Sequence, residues 1–198
     1  GRADNGPEPK RVAHLRRELD ALLAGLDRPA RVAADPVGLV RRYEDPADQE
    51  VAGLLVAMLA YGRASVIIDK AGEALSRLGP RPAQALGDAR ARRRLRGFVY
   101  RFQAGSDIER FLSGVHRVRS EHGGLGRWFA RSDGDFAAAM SDFVAGIAAQ
   151  IRGAQTYGMR YLLPTTENGG AAKRLALYLR WMVRPDDGVD LGTWSGLA

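Results

Sequence analysis

Cysteine is absent from this sequence of 198 residues, and that absence excludes disulfides, thiol catalysis and cysteine-ligated zinc or iron–sulfur centres together. Histidine is scarce, and His14, His116 and His122 show no metal-ligand spacing. The expectation is a protein without metal or cofactor. Long apolar runs are missing too: nothing approaches the roughly 18 residues that would span a bilayer, and the polar start from Gly1 to Lys10 does not read as a signal peptide. A soluble, cytoplasmic protein without a membrane partner is expected. Lysine is the last scarcity, since among 30 basic residues only Lys10, Lys70 and Lys173 are lysines. A position that keeps an amine where arginine is used almost everywhere else calls for a chemical reason.

What is present is enough hydrophobic residue, 45% of the chain, to bury the core of one ordinary domain. Thirty basic residues stand against 23 acidic ones, for a formal charge of +7. Part of the excess is local, in Arg90, Arg92, Arg93, Arg94, Arg96 and Arg101. Such a patch suits a polyanion, with phosphate contacts giving salt-sensitive and sequence-independent affinity. It is equally the solvated face of an arginine-rich protein, and charge alone does not separate the two.

Apolar residues recur at three- and four-residue steps with Gly, Pro or Asp in the gaps, which predicts an all-α fold without strands. After a flexible polar stretch over 1–11, a single domain is expected over 12–198. Its first helix runs from Val12 to Leu26, with Val12, Leu15, Leu19, Leu22, Leu23 and Leu26 on one stripe. Asp35-Pro36 and Asp45-Pro46 each open a helix, because aspartate caps well and proline is tolerated in the first turn. Val51 to Tyr61 has almost no polar face and should be the central core helix. It stops at Gly62, and a partner helix from Ser65 to Leu78 completes a hairpin closed by Gly79-Pro80. Further helices are predicted over Pro82 to Leu95, Asp107 to Glu121, Gly134 to Arg152 and Ala171 to Val183.

The lysine question resolves onto the start of that last helix. Between Pro164 and Ala171 lies TTENGG, a polar stretch ending in the pair Gly169 and Gly170, read as a tight turn that leads straight into the helix. Unpaired N–H groups and the positive end of the helix dipole there suit a phosphate. The same potential lowers the pKa of an amine in the first turn, above all where water is excluded, and a neutral amine is a nucleophile. Lys173 sits in that turn. Lys173, Leu177, Arg180 and Arg184 share one helical face, while Leu175, Ala176, Leu179, Met182 and Val183 face the core. That charged face reads either as a phosphate grip beside a reactive amine or as ordinary solvated surface. Trp181 and Trp194 are open to two readings as well, core packing or a stacking surface for an extruded base.

Two stretches carry a resemblance. LLVAMLAYGRASVIIDKAGEAL, from Leu54 to Leu75, is similar to the early hairpin of the helix-hairpin-helix DNA glycosylases, the endonuclease III-like superfamily. PTTENGGAAKRLALYLRWMVRPDDGVDLGTW, from Pro164 to Trp194, closely resembles the signature of a bacterial family labelled conserved hypothetical, a distant branch of that superfamily. DPV at Asp35 to Val37 and AYGR at Ala60 to Arg63 fit the same branch.

The resemblance implies that the Gly169-Gly170 turn grips DNA phosphate and that Lys173 attacks C1′ of a flipped, damaged nucleotide as a Schiff-base nucleophile. It implies that Tyr61 fills the gap left in the duplex and that Arg63 touches the opposite base or a phosphate. Arg174, Arg180 and Arg184 then join the DNA-binding set. The implied partner is damaged double-stranded DNA, the implied role base excision repair as a lesion-specific glycosylase with AP lyase activity, and the implied location the nucleoid. The alternative is a non-catalytic DNA- or RNA-binding helix-hairpin-helix module; a helical interaction domain whose basic residues are merely solvated is a third class. The superfamily's catalytic aspartate belongs to a Pro-x-Asp-like segment beyond the position of Trp194, and no such segment is present. A fragment lacking the C-terminal helices is the expectation. Asp186, Asp187 and Asp190 are read as caps of a following helix rather than as that catalytic group.

Overall fold

The computed structural model describes residues 9–132, 135–164 and 172–196. Within them the chain is mostly helical: α1 Pro9–Ala24, α2 Arg28–Ala33, α3 Val37–Val40, α4 Pro46–Leu59, α5 Ala64–Leu78, α6 Pro82–Ala85 and α7 Ala89–Arg93 come first. A 3-10 turn, Arg94–Gly97, leads to a ribbon of β1 Val99–Tyr100 and β2 Gln103–Ala104, and α8 Gly105–His122, α9 Leu125–Phe129, α10 Phe136–Ala149, α11 Tyr157–Leu162 and α12 Lys173–Val183 follow.

Local chemistry sets these boundaries. The carboxylate of Asp45 accepts the N–H of Ala47 at 2.8 Å ahead of Pro46, so α4 starts capped. Asp27, Asp88 and Asp135 cap α2, α7 and α10 in the same way. Gly79, at φ 100°, ends α5, and Gly123, at φ 75°, ends α8. The stretch predicted as one helix over Pro82 to Leu95 is instead three short pieces. Gly87 breaks it, and Asp88 restarts a helix by accepting the N–H of Arg90 at 2.7 Å. The ribbon was not expected; it pairs Val99 with Ala104 and Tyr100 with Gln103 in antiparallel register, too briefly to show an alternating pattern.

The expectation for α4 holds as far as Leu59, where the helix ends short of Gly62, leaving Ala60 and Tyr61 half-buried outside it. Val51 to Leu59 is buried throughout, and each fully buried Val, Leu or Met contributes about 1.5–3 kcal/mol relative to exposure. α12 packs along α4, so close that a Cβ on Gly53 would lie 2.9 Å from Met182 Cε and 3.3 Å from the Tyr178 ring. Two buried carboxylates complete α4. Asp48 accepts the N–H of Ala83 at 2.7 Å. Glu50 accepts from Arg119 at 2.8 Å, from the N–H of Gly126 at 2.8 Å and from the Trp194 indole at 3.0 Å. Buried charge is tolerable only with that many donors.

The first helix is a correction. It starts at Pro9, inside the stretch expected to be flexible, and ends at Ala24. Its stripe of Val12, Leu15, Leu19, Leu22 and Leu23 is 48–68% exposed. Periodicity defines an apolar face; it does not supply the surface that would cover one. The double substitution Leu19→Ser and Leu22→Ser is therefore expected to change stability by no more than about 0.5 kcal/mol; a drop of several degrees in Tm by calorimetry would show that the stripe is packed.

Candidate nucleic-acid interface

Three elements bring aromatic rings together at one place: the turn between α4 and α5, the ribbon, and α11. Tyr61 stacks on Tyr100 (centroids 4.7 Å, 24°) and on Phe102 (5.5 Å, 9°). Tyr161 meets both Tyr61 and Phe102 edge-on, at 5.1 and 4.5 Å. Tyr157 meets Phe102 edge-on at 5.0 Å. Tyr100 is buried and Tyr61 half-buried, whereas Phe102 is 39% exposed and Tyr157 60% exposed. The hydroxyl of Tyr61 donates to the carbonyl of Tyr100 at 3.4 Å, and the hydroxyl of Tyr100 donates to the carbonyl of Tyr61. Burial, then the neighbouring Tyr100, pushes the Tyr61 phenol up from its ordinary value, so it stays protonated.

Cations are built into this cluster. The Arg174 guanidinium lies over Tyr161 at 4.2 Å and over Tyr61 at 5.6 Å, and donates to the carbonyls of Met58 and Tyr161. Burial pushes its pKa down, and the two tyrosines oppose that shift. Arg174 thus ties the end of α4 to α11 and α12. Arg101 is exposed at the ribbon tip with φ 54°, a left-handed conformation uncommon outside glycine, and its guanidinium reaches over Tyr61 at 5.9 Å.

The ribbon is pinned to α11 from beneath. Gln103, fully buried, donates to the carbonyl of Gly158 at 3.0 Å. A Cβ on Gly158 would lie 2.5 Å from Asp107 Oδ2 and 3.0 Å from the carbonyl of Phe102, so only glycine lets α11 come this close. Thr156 caps α11 through the N–H of Met159 and donates its own hydroxyl to Asp107 at 2.8 Å.

The residues singled out from the sequence fall into three places. Lys173 and Arg174 open α12 next to the cluster, with Lys173 exposed and Arg174 half-buried. Tyr61 belongs to the cluster, and Arg63 is exposed just before α5. Arg180 and Arg184 do not join them. They bind the fully buried Asp190 at 3.2 and 3.3 Å, roughly 10 and 16 Å of helix rise beyond Lys173. Gly169 and Gly170 lie outside the described residues.

Asp186 and Asp187 cap no helix. Asp186 binds Arg41 and the N–H of Gly188, while Asp187 accepts the N–H groups of Val189 and Asp190, and those bonds hold both carboxyls below their usual range. Trp181 and Trp194 are core residues. Of the core face predicted for α12, Leu175, Leu179 and Met182 are buried, but Ala176 and Val183 are exposed and Tyr178 and Trp181 take their share. In the arginine run, Arg92 donates to the carbonyl of Leu86 and Arg96 pairs with Glu109 at 2.6 Å, while Arg90, Arg93 and Arg94 are exposed. An open cleft of about 530 Å³ beside Arg28, Leu39, Arg42 and Ile68 includes neither Lys173 nor the aromatic cluster. Phe102, Tyr157 and Tyr161 were missed from the sequence; their signal was the i, i+4 spacing of the last two and the Tyr100, Phe102 alternation.

Among the described residues no helix is long and apolar enough to cross a membrane, and no group of His, Asp or Glu has the makings of a metal site. A family model described as Protein of unknown function (DUF2400) matches residues 35–198. No curated protein and no solved structure matches the chain.

Proposed function

We propose that this chain, which belongs to the DUF2400 family of proteins of unknown function, is a DNA repair protein of the helix-hairpin-helix type: a lesion-specific glycosylase with AP lyase activity that acts on damaged double-stranded DNA through Lys173. The observation that carries this reading is the position of Lys173. It is an exposed amine in the first turn of α12, adjacent in sequence to an arginine locked into a surface of aromatic rings and cations. Rings of this kind stack on bases, and nearby cations suit phosphate. The resemblance of Pro164 to Trp194 to the lysine segment of that superfamily supports the same assignment.

In the proposed reaction the neutral amine of Lys173 attacks C1′ of a flipped nucleotide. The C1′–N bond to the base breaks, and the base leaves with that electron pair and takes up a proton. The attached nitrogen loses one proton to solvent, the C1′–O4′ bond then breaks with O4′ taking up a proton, and a protonated imine is left at C1′. Removal of a C2′ proton then expels the 3′ phosphate by β-elimination. Borohydride reduces the imine to a stable secondary amine, and this gives the test. Trapping on a duplex with an abasic site is expected to yield a covalent adduct that Lys173→Gln abolishes, while duplex affinity falls by less than about tenfold, as one charge among many contacts should. Adduct formation that persists in Lys173→Gln sinks the assignment.

One observation favours a second reading, that of a non-catalytic DNA- or RNA-binding module. Asp190, the buried carboxylate that follows α12, is held by Arg180 and Arg184 toward the far end of that helix from Lys173. Duplex binding without any adduct would select this module.

A further inference from the structure

We propose a ligand site beyond the lysine chemistry: the solvent face of Phe102 and Tyr157, with the exposed Arg101 at the ribbon tip next to Phe102, stacks the unpaired bases of single-stranded DNA. The site asks nothing of Lys173. Only the choice of DNA over RNA rests on the function proposed above.

Three observations point to it. First, two large rings stand in water, set edge-on to each other. Phe102 and Tyr157 are 39% and 60% exposed with centroids 5.0 Å apart, so apolar ring surface is left open to a flat partner. Second, the rings are held in place before any ligand arrives. Phe102 lies nearly parallel to Tyr61 and is met edge-on by Tyr161, while Gln103 and Gly158 fix its backbone to α11. A platform already ordered does not lose that freedom on binding.

Third, the exposed charge on these segments is positive, the nearby Asp107 being buried. Arg101 is exposed at the ribbon tip, Arg160 is exposed in α11 with its guanidinium on the carbonyl of Gln155, and the ribbon, α11 and the α4–α5 turn contain no acidic residue: VYRFQA, YGMRYL and AYGRA. Exposed rings beside a cation match a chain that alternates flat bases with phosphates. Within a duplex the base faces are already covered by their neighbours, so an exposed ring reaches them only where the strand is unpaired.

Anisotropy of a labelled oligothymidylate of roughly 12 nucleotides, within the usual site size, tests the proposal against an abasic strand of equal length and charge. The wild-type chain is expected to bind the base-bearing strand at least about tenfold more tightly, because stacking adds to phosphate contacts. Phe102→Leu and Tyr157→Leu should each weaken that binding by about five- to fiftyfold and leave the abasic strand unaffected. Phe102→Trp keeps a stacking ring and should restore affinity, which separates loss of stacking from loss of fold. Equal binding of the two strands by the wild-type chain, or leucine variants that bind like wild type, would overturn the site. Tighter binding of the matching RNA would overturn the choice of DNA. Trapping reads Lys173, whereas the ratio of base-bearing to abasic strand affinity reads the rings, so failure of the lysine assignment and failure of this site register in different measurements.

Discussion

Replacing Glu50 with alanine is expected to cost about 3–5 kcal/mol, the loss typical when one partner of a buried ion pair is removed. The magnitude follows from what the carboxylate satisfies: the Arg119 guanidinium, the N–H of Gly126 and the Trp194 indole all donate to it within 3.0 Å. Without it, two neutral donors lose an acceptor, and a largely buried cation loses its counter-charge. For a domain of ordinary stability, about 5–15 kcal/mol, that is a large share. Urea denaturation followed by tryptophan fluorescence measures it, and Glu50→Gln, which keeps an oxygen for two of the three donors, should lose less. An unchanged urea midpoint in Glu50→Ala would mean that these donors find other acceptors.

Gly105→Ala is the second large effect, on the order of 3 kcal/mol by analogy with overpacked cores. A Cβ at this position would lie 1.6 Å from the carbonyl oxygen of Leu95, 2.6 Å from its carbonyl carbon and 3.0 Å from the carbonyl oxygen of Phe98. All three are backbone atoms, so no rotamer relieves the clash. Either α8 or the turn before the ribbon must move, and the N–H of Gly105 that donates to Phe98 at 2.8 Å moves with it. The ribbon carries Phe102, so single-strand binding should fall along with stability. Gly72→Ala in α5 is the contrasting case. Its Cβ meets nothing nearer than Leu39 Cδ2 at 3.7 Å, and alanine there should stabilise by about 0.5–1 kcal/mol through helix propensity. Similar Tm values for the two variants would contradict this account of Gly105.

The parts of the fold that were legible in the sequence are those written in local chemistry. Asp45-Pro46, the unbroken apolar stretch of α4 and the break at Gly79 each act within a few residues, and each appears where it was expected. The pieces that escaped depend on distant partners. Nothing local to Leu15 or Leu19 tells whether a surface covers them. Glu50 reads as one more polar residue near a helix start until Arg119 and Trp194 close around it. At the candidate site, Lys173 stood out through composition and Tyr61 through resemblance, but the cluster around them is assembled from segments about 40 and 100 residues away from Tyr61. Arg180 and Arg184 show the converse. Helical spacing put them on the lysine's face, yet a carboxylate ten and six residues further on binds both.

The closure around Glu50 also orders events in time. Its indole donor is 144 residues further along the chain, so at a synthesis rate of about 5–20 residues per second the helix carrying Glu50 waits roughly 7–30 s for that partner to be made. During that interval α4, whose stretch from Val51 to Leu59 is apolar on every side, has emerged without the α12 surface that covers it. A nascent chain in this state is a natural client for a ribosome-associated chaperone, and slowing translation between α4 and α12 should lengthen the aggregation-prone interval rather than help the protein fold.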